Sequence, residues 1–453
     1  MTSLDDTCRA RLDLRLAREQ ADSRLPSIVA GIVRDGELSW SGSAGTVGGR
    51  APDAGTQYRI GSITKTFVAV AVLRLRDEGR VDLDDRVEDH VPGTPVGHAR
   101  VAQLLSHASG LQAETGGPWW ERSKGGPWSE LAGLMTASWS RDRPGRGFHY
   151  SNVGYAVLGE LVARHREVPW HEAVRRELLE PLGMRRTTTR PQEPHAEGLA
   201  VHPWADVVLP EPEHDAGAMA PAGQLWSTVG DLARWVGFLS GDGAGVLSPD
   251  TLAEMRRPLV VEDTPGDPWT GGYGLGLQVW NLDGRRSYGH SGSMPGFLAV
   301  LRVDAESADA AVVATNSTAG LSAAFPTDLL GLVAEHAPRQ PAAWQPAAVE
   351  RDLLALTGAW FWGPTPVAVH ADADGGLELR ELGRRARTSS FRPTGDGTWT
   401  GSDGYYAGET LRVVRRAGGE VSHLDVASFV LTRTPYDPLA DVPGGVDQGG
   451  WRA

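Results

Sequence analysis

The stretch Arg59-Ile60-Gly61-Ser62-Ile63-Thr64-Lys65-Thr66-Phe67 decides how this chain is read. It places Ser-x-x-Lys at the head of an apolar segment (Phe67, Val68, Val70, Val72, Leu73, Leu75) that runs to Gly79. That pattern predicts a helix buried between layers. Residues three apart share a helix face, so the Ser62 hydroxyl and the Lys65 amine come within reach. A serine alcohol is a poor nucleophile until a neighbouring base takes its proton. A lysine amine can be that base where burial lowers its pKa. Gly61 lets the chain turn sharply into the helix, and the helix start then points its free N–H groups at the reacting centre.

Composition sharpens the point. Among 44 basic side chains only Lys65 and Lys124 are lysines; the rest are arginines. Arginine cannot give up its proton and lysine can, so a rare lysine three residues after a serine points to a titratable amine. Taken alone, the same four residues also describe a capped helix with a solvated lysine.

The chain has 453 residues, enough for two or three domains, and a net charge of −13 that argues against nucleic-acid or anionic-membrane partners. Cys8 is the single cysteine, so no intrachain disulfide forms. The first residues lack a basic run followed by an apolar one, and no stretch approaches the ~18 apolar residues of a membrane span. The expected location is the cytoplasm.

Outward from Ser62, residues 3–22 read as a surface helix. Ile28–Val33 and Leu38–Trp40 read as strands joined by a hairpin at Asp35-Gly36. His107, in Leu104–Leu111, reads as a helix-end or core histidine. The loop with Trp119 and Trp120 reads equally as a candidate wall of an apolar pocket and as a packed surface loop. Tyr150-x-Asn152 stands at a loop–helix junction, with a phenol and an amide aimed the same way; together they suit a cleft, singly they read as a turn tyrosine and an N-cap asparagine. Thr228 reads as part of a capping arrangement before a further helix. Tyr273–Trp280 and Tyr288–Ser293 bracket Asp283-Gly284, a second hairpin whose later strand carries His290-x-Gly292. Strands and a helix follow to residue 335. This order argues an antiparallel sheet flanked by helices. Residues 336–352 form a Pro/Ala linker. Residues 353–453 hold short, turn-punctuated strands of an all-β barrel or sandwich.

Ser62-x-x-Lys65, Tyr150-x-Asn152 and His290-x-Gly292, in that order, resemble the penicillin-recognising serine hydrolases: class C β-lactamases, D-aminopeptidases, D,D-peptidases and β-lactamase-like esterases. The likeness covers about residues 20–335, and the C-terminal part resembles a lipocalin-like domain. The resemblance implies an α+β sandwich, an antiparallel sheet flanked by helices with an all-helical subdomain. It implies Ser62 as acylated nucleophile, with Lys65 and Tyr150 sharing the base and relay work in an order left open. Asn152 would hold Lys65 and the substrate amide. His290 stands where β-lactamases carry lysine. The backbone amides of Ser62 and Ser293 would form an oxyanion hole, each worth about 3 kcal/mol. Trp119, Trp120 and Gly292 are candidate substrate contacts.

No metal or cofactor is called for: His-Glu-x-x-His and a cysteine cluster are both absent from the sequence. The expected partner is a small-molecule or peptide substrate, including a carrier-bound peptidyl thioester. Expected chemistry is hydrolysis or acyl transfer on an ester, thioester or D-amino-acid peptide. Release and cyclisation of nonribosomal peptides by a penicillin-binding-protein-type thioesterase is the alternative. A non-catalytic peptide-binding module is the reading from another class.

Overall fold

A computed structural model describes residues 4–241, 243–341, 343–383, 387–437, 439–440 and 442. The chain divides into two compact units, residues 1–340 and 341–453.

The first unit is built on one antiparallel sheet. Its strands are β1 (Ser27–Arg34), β2 (Glu37–Gly45), β3 (Val260–Val261), β4 (Gly271–Tyr273), β5 (Gln278–Leu282), β6 (Arg285–Met294), β7 (Phe297–Asp304) and β8 (Ala310–Thr315), ordered β2-β1-β8-β7-β6-β5-β4-β3. Both expected hairpins form. Asp35 and Gly36 have φ of 54° and 75°, and Asp283 and Gly284 have 52° and 81°. Positive φ at both central residues is what a two-residue turn between twisted strands requires.

β1 is buried along its whole length because both its faces are covered. Ile28, Ala30 and Ile32 face α1 (Asp6–Asp22) and a C-terminal helix, Phe325–His336, with Leu12, Leu16, Phe325 and Leu329. Val29 and Val33 join the larger core on the other face. That core contains α2 (Thr64–Asp77), α3 (Asn152–Arg166) and α4 (Val229–Ser240). The period-two alternation of a strand delivers its apolar side chains to two helical layers at once.

α2 is buried from Thr64 to Leu73. Phe67 stacks on Trp235 of α4 with ring centroids 3.9 Å apart, and the Trp235 indole donates to Thr66 Oγ1 at 2.9 Å. These contacts hold the helix that carries Lys65. Two short ladders, Tyr58–Arg59 with Trp226–Ser227 and Leu199–Val201 with Val208–Pro210, lie outside the main sheet. Among the described residues no helix is long and apolar enough to cross a membrane.

The second unit is an eight-stranded antiparallel meander, β9 (Gly358–Trp362), β10 (Thr365–Ala371), β11 (Leu377–Glu381), β12 (Thr388–Pro393), β13 (Thr398–Gly401), β14 (Thr410–Arg415), β15 (Val421–Val426) and β16 (Phe429–Leu431), each paired with the next. Reciprocal bonds between Phe361 and Thr432 at 2.8 and 2.9 Å bring the ends together, so the barrel is nearly closed. Pairs two apart, Val367/Val369, Leu377/Leu379 and Leu424/Val426, fill its core with Trp360 and Phe391. A short helix at Arg351–Leu354 precedes the first strand.

Candidate active site

Ser62 does not sit in the α-helix itself. It lies in a 3₁₀ turn, Gly61–Ile63, that leads directly into α2 at Thr64. Gly61 has φ of 52°, a left-handed conformation that glycine adopts without a Cβ penalty. Sequence spacing had placed Ser62 and Lys65 on one helix face, and the tighter turn still does so.

Lys65 is fully buried. Its amine Nζ lies 2.9 Å from Ser62 Oγ, 2.7 Å from Asn152 Oδ1 and 2.7 Å from the Ala222 carbonyl. The amide oxygen and the carbonyl only accept, so they consume two N–H groups. The third tetrahedral direction faces Ser62. A charged amine donates there; a neutral amine turns its lone pair to the serine proton. Burial lowers the Lys65 pKa to about 7, with Glu114 and Glu121 pulling it upward. The amine is therefore available as a base near neutrality.

Tyr150 comes to the same place. Lys65 Nζ lies 5.0 Å from its ring centroid, and Tyr150 lines the cleft beside Ser62. Burial raises its phenol above the usual 10, while Ser62 acts in the opposite sense. The phenol keeps its proton at neutral pH. Asn152 opens α3, whose cap is the neighbouring Ser151 accepting from the Gly154 amide. The Asn152 side chain is thereby free to reach Lys65.

β6 lies against the nucleophile turn, backbone to backbone. A Cβ on Gly61 would meet the Ser293 amide nitrogen at 2.5 Å. A Cβ on Gly292 would meet the Ile60 carbonyl oxygen at 1.9 Å and the Ser62 amide nitrogen at 3.2 Å. Glycine at both positions lets the Ser62 and Ser293 backbones come together. Gly292 is thus a close-approach position as well as part of the cleft lining.

His290, on the same strand, is buried and makes no part of that lining. Its Nδ1 faces the Ser291 carbonyl, which only accepts, so Nδ1 carries the proton. Its Nε2 then accepts from the Tyr273 hydroxyl. Burial, followed by Lys65, lowers its pKa to about 3, so the ring is neutral. Its centroid stands 6.5 Å from that of Tyr150. The arrangement places it behind the reacting groups.

The cleft beside Ser62 has a volume of about 320 Å³. Tyr150, Gln278, Ser291, Gly292, Ser293, Leu298 and the 321–323 segment contribute to its walls. Trp119 and Trp120, read from the sequence as pocket walls, are not among them. Trp119 is 58% exposed and lies under the Arg122 guanidinium, whereas Trp120 is buried and donates to Glu114 Oε2 at 2.6 Å. The loop turns its indoles toward its own carboxylates instead of the cleft.

Glu114, Gln278 and Tyr273 escaped the sequence reading. Glu114 Oε1 accepts from Asn152 Nδ2 at 2.6 Å. Gln278 Oε1 accepts from the Ser291 amide at 2.9 Å. Tyr273 was visible only as a strand aromatic. His107 is buried with φ of 57°, accepts from the Ser151 amide at Nδ1, and packs 4.1 Å from the Tyr150 ring centroid. It is a core histidine under the site.

Residues 12–336 match the family described as Beta-lactamase. The chain belongs to that family. Residues 349–433 match a domain of unknown function, DUF7586. Penicillin-binding protein 4 from Amycolatopsis lactamdurans is 29% identical over 371 residues, 75% of this chain and 94% of that protein. The octameric penicillin-binding protein homologue from Pyrococcus abyssi is similar in structure, with a TM-score of 0.66 at 25% identity over 94% of this chain and 100% of its own. The D-stereospecific amidohydrolase from Streptomyces sp. gives 0.61 at 28% identity over 73% of this chain and 99% of its own. Hydrolases of the family, amidohydrolases included, thus share the fold and the sheet-to-turn contact lies within the matched region.

The glycine contact yields a test. Gly292→Ala is expected to push β6 off the Ser62 turn and cut phosphonylation of Ser62 by a fluorophosphonate about 100-fold. Labelling at the wild-type rate, followed by mass spectrometry, would contradict the packing described.

Proposed function

We propose that the protein is a serine hydrolase or acyltransferase that opens an amide or ester bond through acyl-Ser62. The observation that carries this reading is the Lys65 amine at 2.9 Å from Ser62 Oγ, with its two other hydrogen-bonding directions occupied. Ser62 Oγ attacks the substrate carbonyl carbon and its proton passes to Lys65. The developing oxyanion is received by the Ser62 and Ser293 amides. Collapse breaks the bond to the leaving amine or alcohol. That group takes a proton from Tyr150, and Tyr150 takes in its place the proton that Lys65 received from Ser62. Water, or an amine nucleophile, then attacks acyl-Ser62 and frees the enzyme.

Lys65 is the first base in this reading, because its pKa falls toward neutrality while that of Tyr150 rises. The likeness to a D-stereospecific amidohydrolase supports amides of D-amino acids as the substrate class. The neutral His290 supports the same direction, since it offers no cation to a substrate carboxylate.

Turnover of D-phenylalaninamide, its L-enantiomer and a p-nitrophenyl ester tests the substrate class. Faster release of ammonia from the D-amide is the expected result; turnover of the ester alone would contradict it. Ser62→Ala is expected to lower kcat/KM by about 10⁴ or more, and activity within tenfold of wild type would remove Ser62 from the mechanism. Lys65→Arg is expected to fail nearly as badly as Lys65→Ala, because a guanidinium cannot take the serine proton. Rescue by arginine would leave Lys65 an electrostatic role only.

A further inference from the structure

We propose that Glu114 is a positioning residue that fixes the Asn152 amide with its oxygen toward Lys65. This rests on the acyl-Ser62 reading and concerns how its base is held. An asparagine amide can turn by half a rotation with almost no change of shape, so packing alone does not choose between its two orientations. Chemistry chooses here. Glu114 Oε1 lies 2.6 Å from Asn152 Nδ2, and a carboxylate only accepts. The NH₂ must face it, and Oδ1 must face the Lys65 amine, 2.7 Å away. The reversed amide would set oxygen against carboxylate and NH₂ against the Lys65 N–H.

The carboxylate is itself pinned. Its second oxygen accepts from the Trp120 indole at 2.6 Å. Its backbone belongs to a segment docked on the start of α3. Ser151 Oγ donates to the Gln112 carbonyl at 2.6 Å, the Asn152 amide donates to the Ala113 carbonyl at 2.8 Å, and Gln112 Nε2 donates to the Glu114 carbonyl at 2.7 Å. Glu114, Asn152, Lys65 and Ser62 thus form one continuous chain of hydrogen bonds from the loop surface to the nucleophile.

The groups facing Lys65 set what its titration reports. His107, from the loop after Leu105, and His290, from β6, are both held neutral by burial. Tyr150 and Tyr155, before and on α3, keep their protons. Glu114 and Glu121, from the tryptophan loop, both raise the lysine pKa, with Glu114 the larger influence. Removing the Glu114 charge favours the neutral amine, and a freed Asn152 that turns its NH₂ to the amine does the same.

The test reads phosphonylation of Ser62 by a fluorophosphonate against pH, by intact-protein mass spectrometry. Wild type is expected to react faster as pH rises through about 7, where Lys65 loses its proton. Glu114→Gln is expected to lower the plateau rate about tenfold and to move the midpoint down by about half a unit or more. In an Asn152→Ala background the same substitution is expected to change the plateau less than about twofold, because the amide it acts through is gone. Trp120→Phe keeps the charge and is expected to leave the midpoint in place. An unmoved midpoint in Glu114→Gln, or an equal rate loss in both backgrounds, would overturn the proposal while Ser62 and Lys65 stand. A wild-type protein that is not labelled at Ser62 would overturn the functional reading and this inference with it.

Discussion

Everything at this site depends on a lysine amine held out of water by acceptors that leave it one free direction. Burying a cationic amine is costly, and the fold limits that cost by fixing Asn152 Oδ1 and the Ala222 carbonyl at 2.7 Å. The remaining direction points at Ser62 Oγ. Desolvation brings the pKa to about 7 while the carboxylates of Glu114 and Glu121 keep it from falling further. The two influences oppose each other, and their balance leaves an amine that can exchange a proton with serine near neutral pH.

The rest of the first unit serves that geometry. α2 is clamped by Phe67 on Trp235 and by the indole bond to Thr66, which sets the height of Lys65. The start of α3 brings Asn152, and the 3₁₀ segment Gly217–Ala222 brings the carbonyl. β6 brings the second amide, and it can do so only because Gly61 and Gly292 carry no Cβ. The family motifs thus combine chemical groups with close-approach glycines.

Much of this was legible in the sequence, and the exceptions have physical causes. Ser62 and Lys65 showed through their spacing and the rarity of lysine, and Tyr150 and Asn152 through the order of motifs that resembles the family. The hairpins showed because Asp-Gly needs positive φ at two successive residues. Glu114 did not show, since a glutamate in a polar, glycine-rich loop looks like any solvated charge until the fold brings Asn152 to it. Trp119 and Trp120 suggested a pocket by composition, but their N–H groups found Glu121 and Glu114 instead. β12 and β15 are hard to read in the sequence because Ser389, Ser422 and His423 are buried polar residues that break the apolar alternation. The neutrality of His290 follows from its burial and from the nearby Lys65 charge, neither of which its place in the sequence shows.

The most direct measurement is the pKa of the Lys65 amine itself. Only two lysines are present, so selective ¹⁵N labelling of lysine gives two Nζ resonances that can be followed by NMR as pH is raised. One resonance is expected to titrate near 7 and to vanish in Lys65→Ala. Two resonances that both titrate above about 10 would contradict the account, because Lys65 would then hold its proton at neutral pH and could not take the one from Ser62.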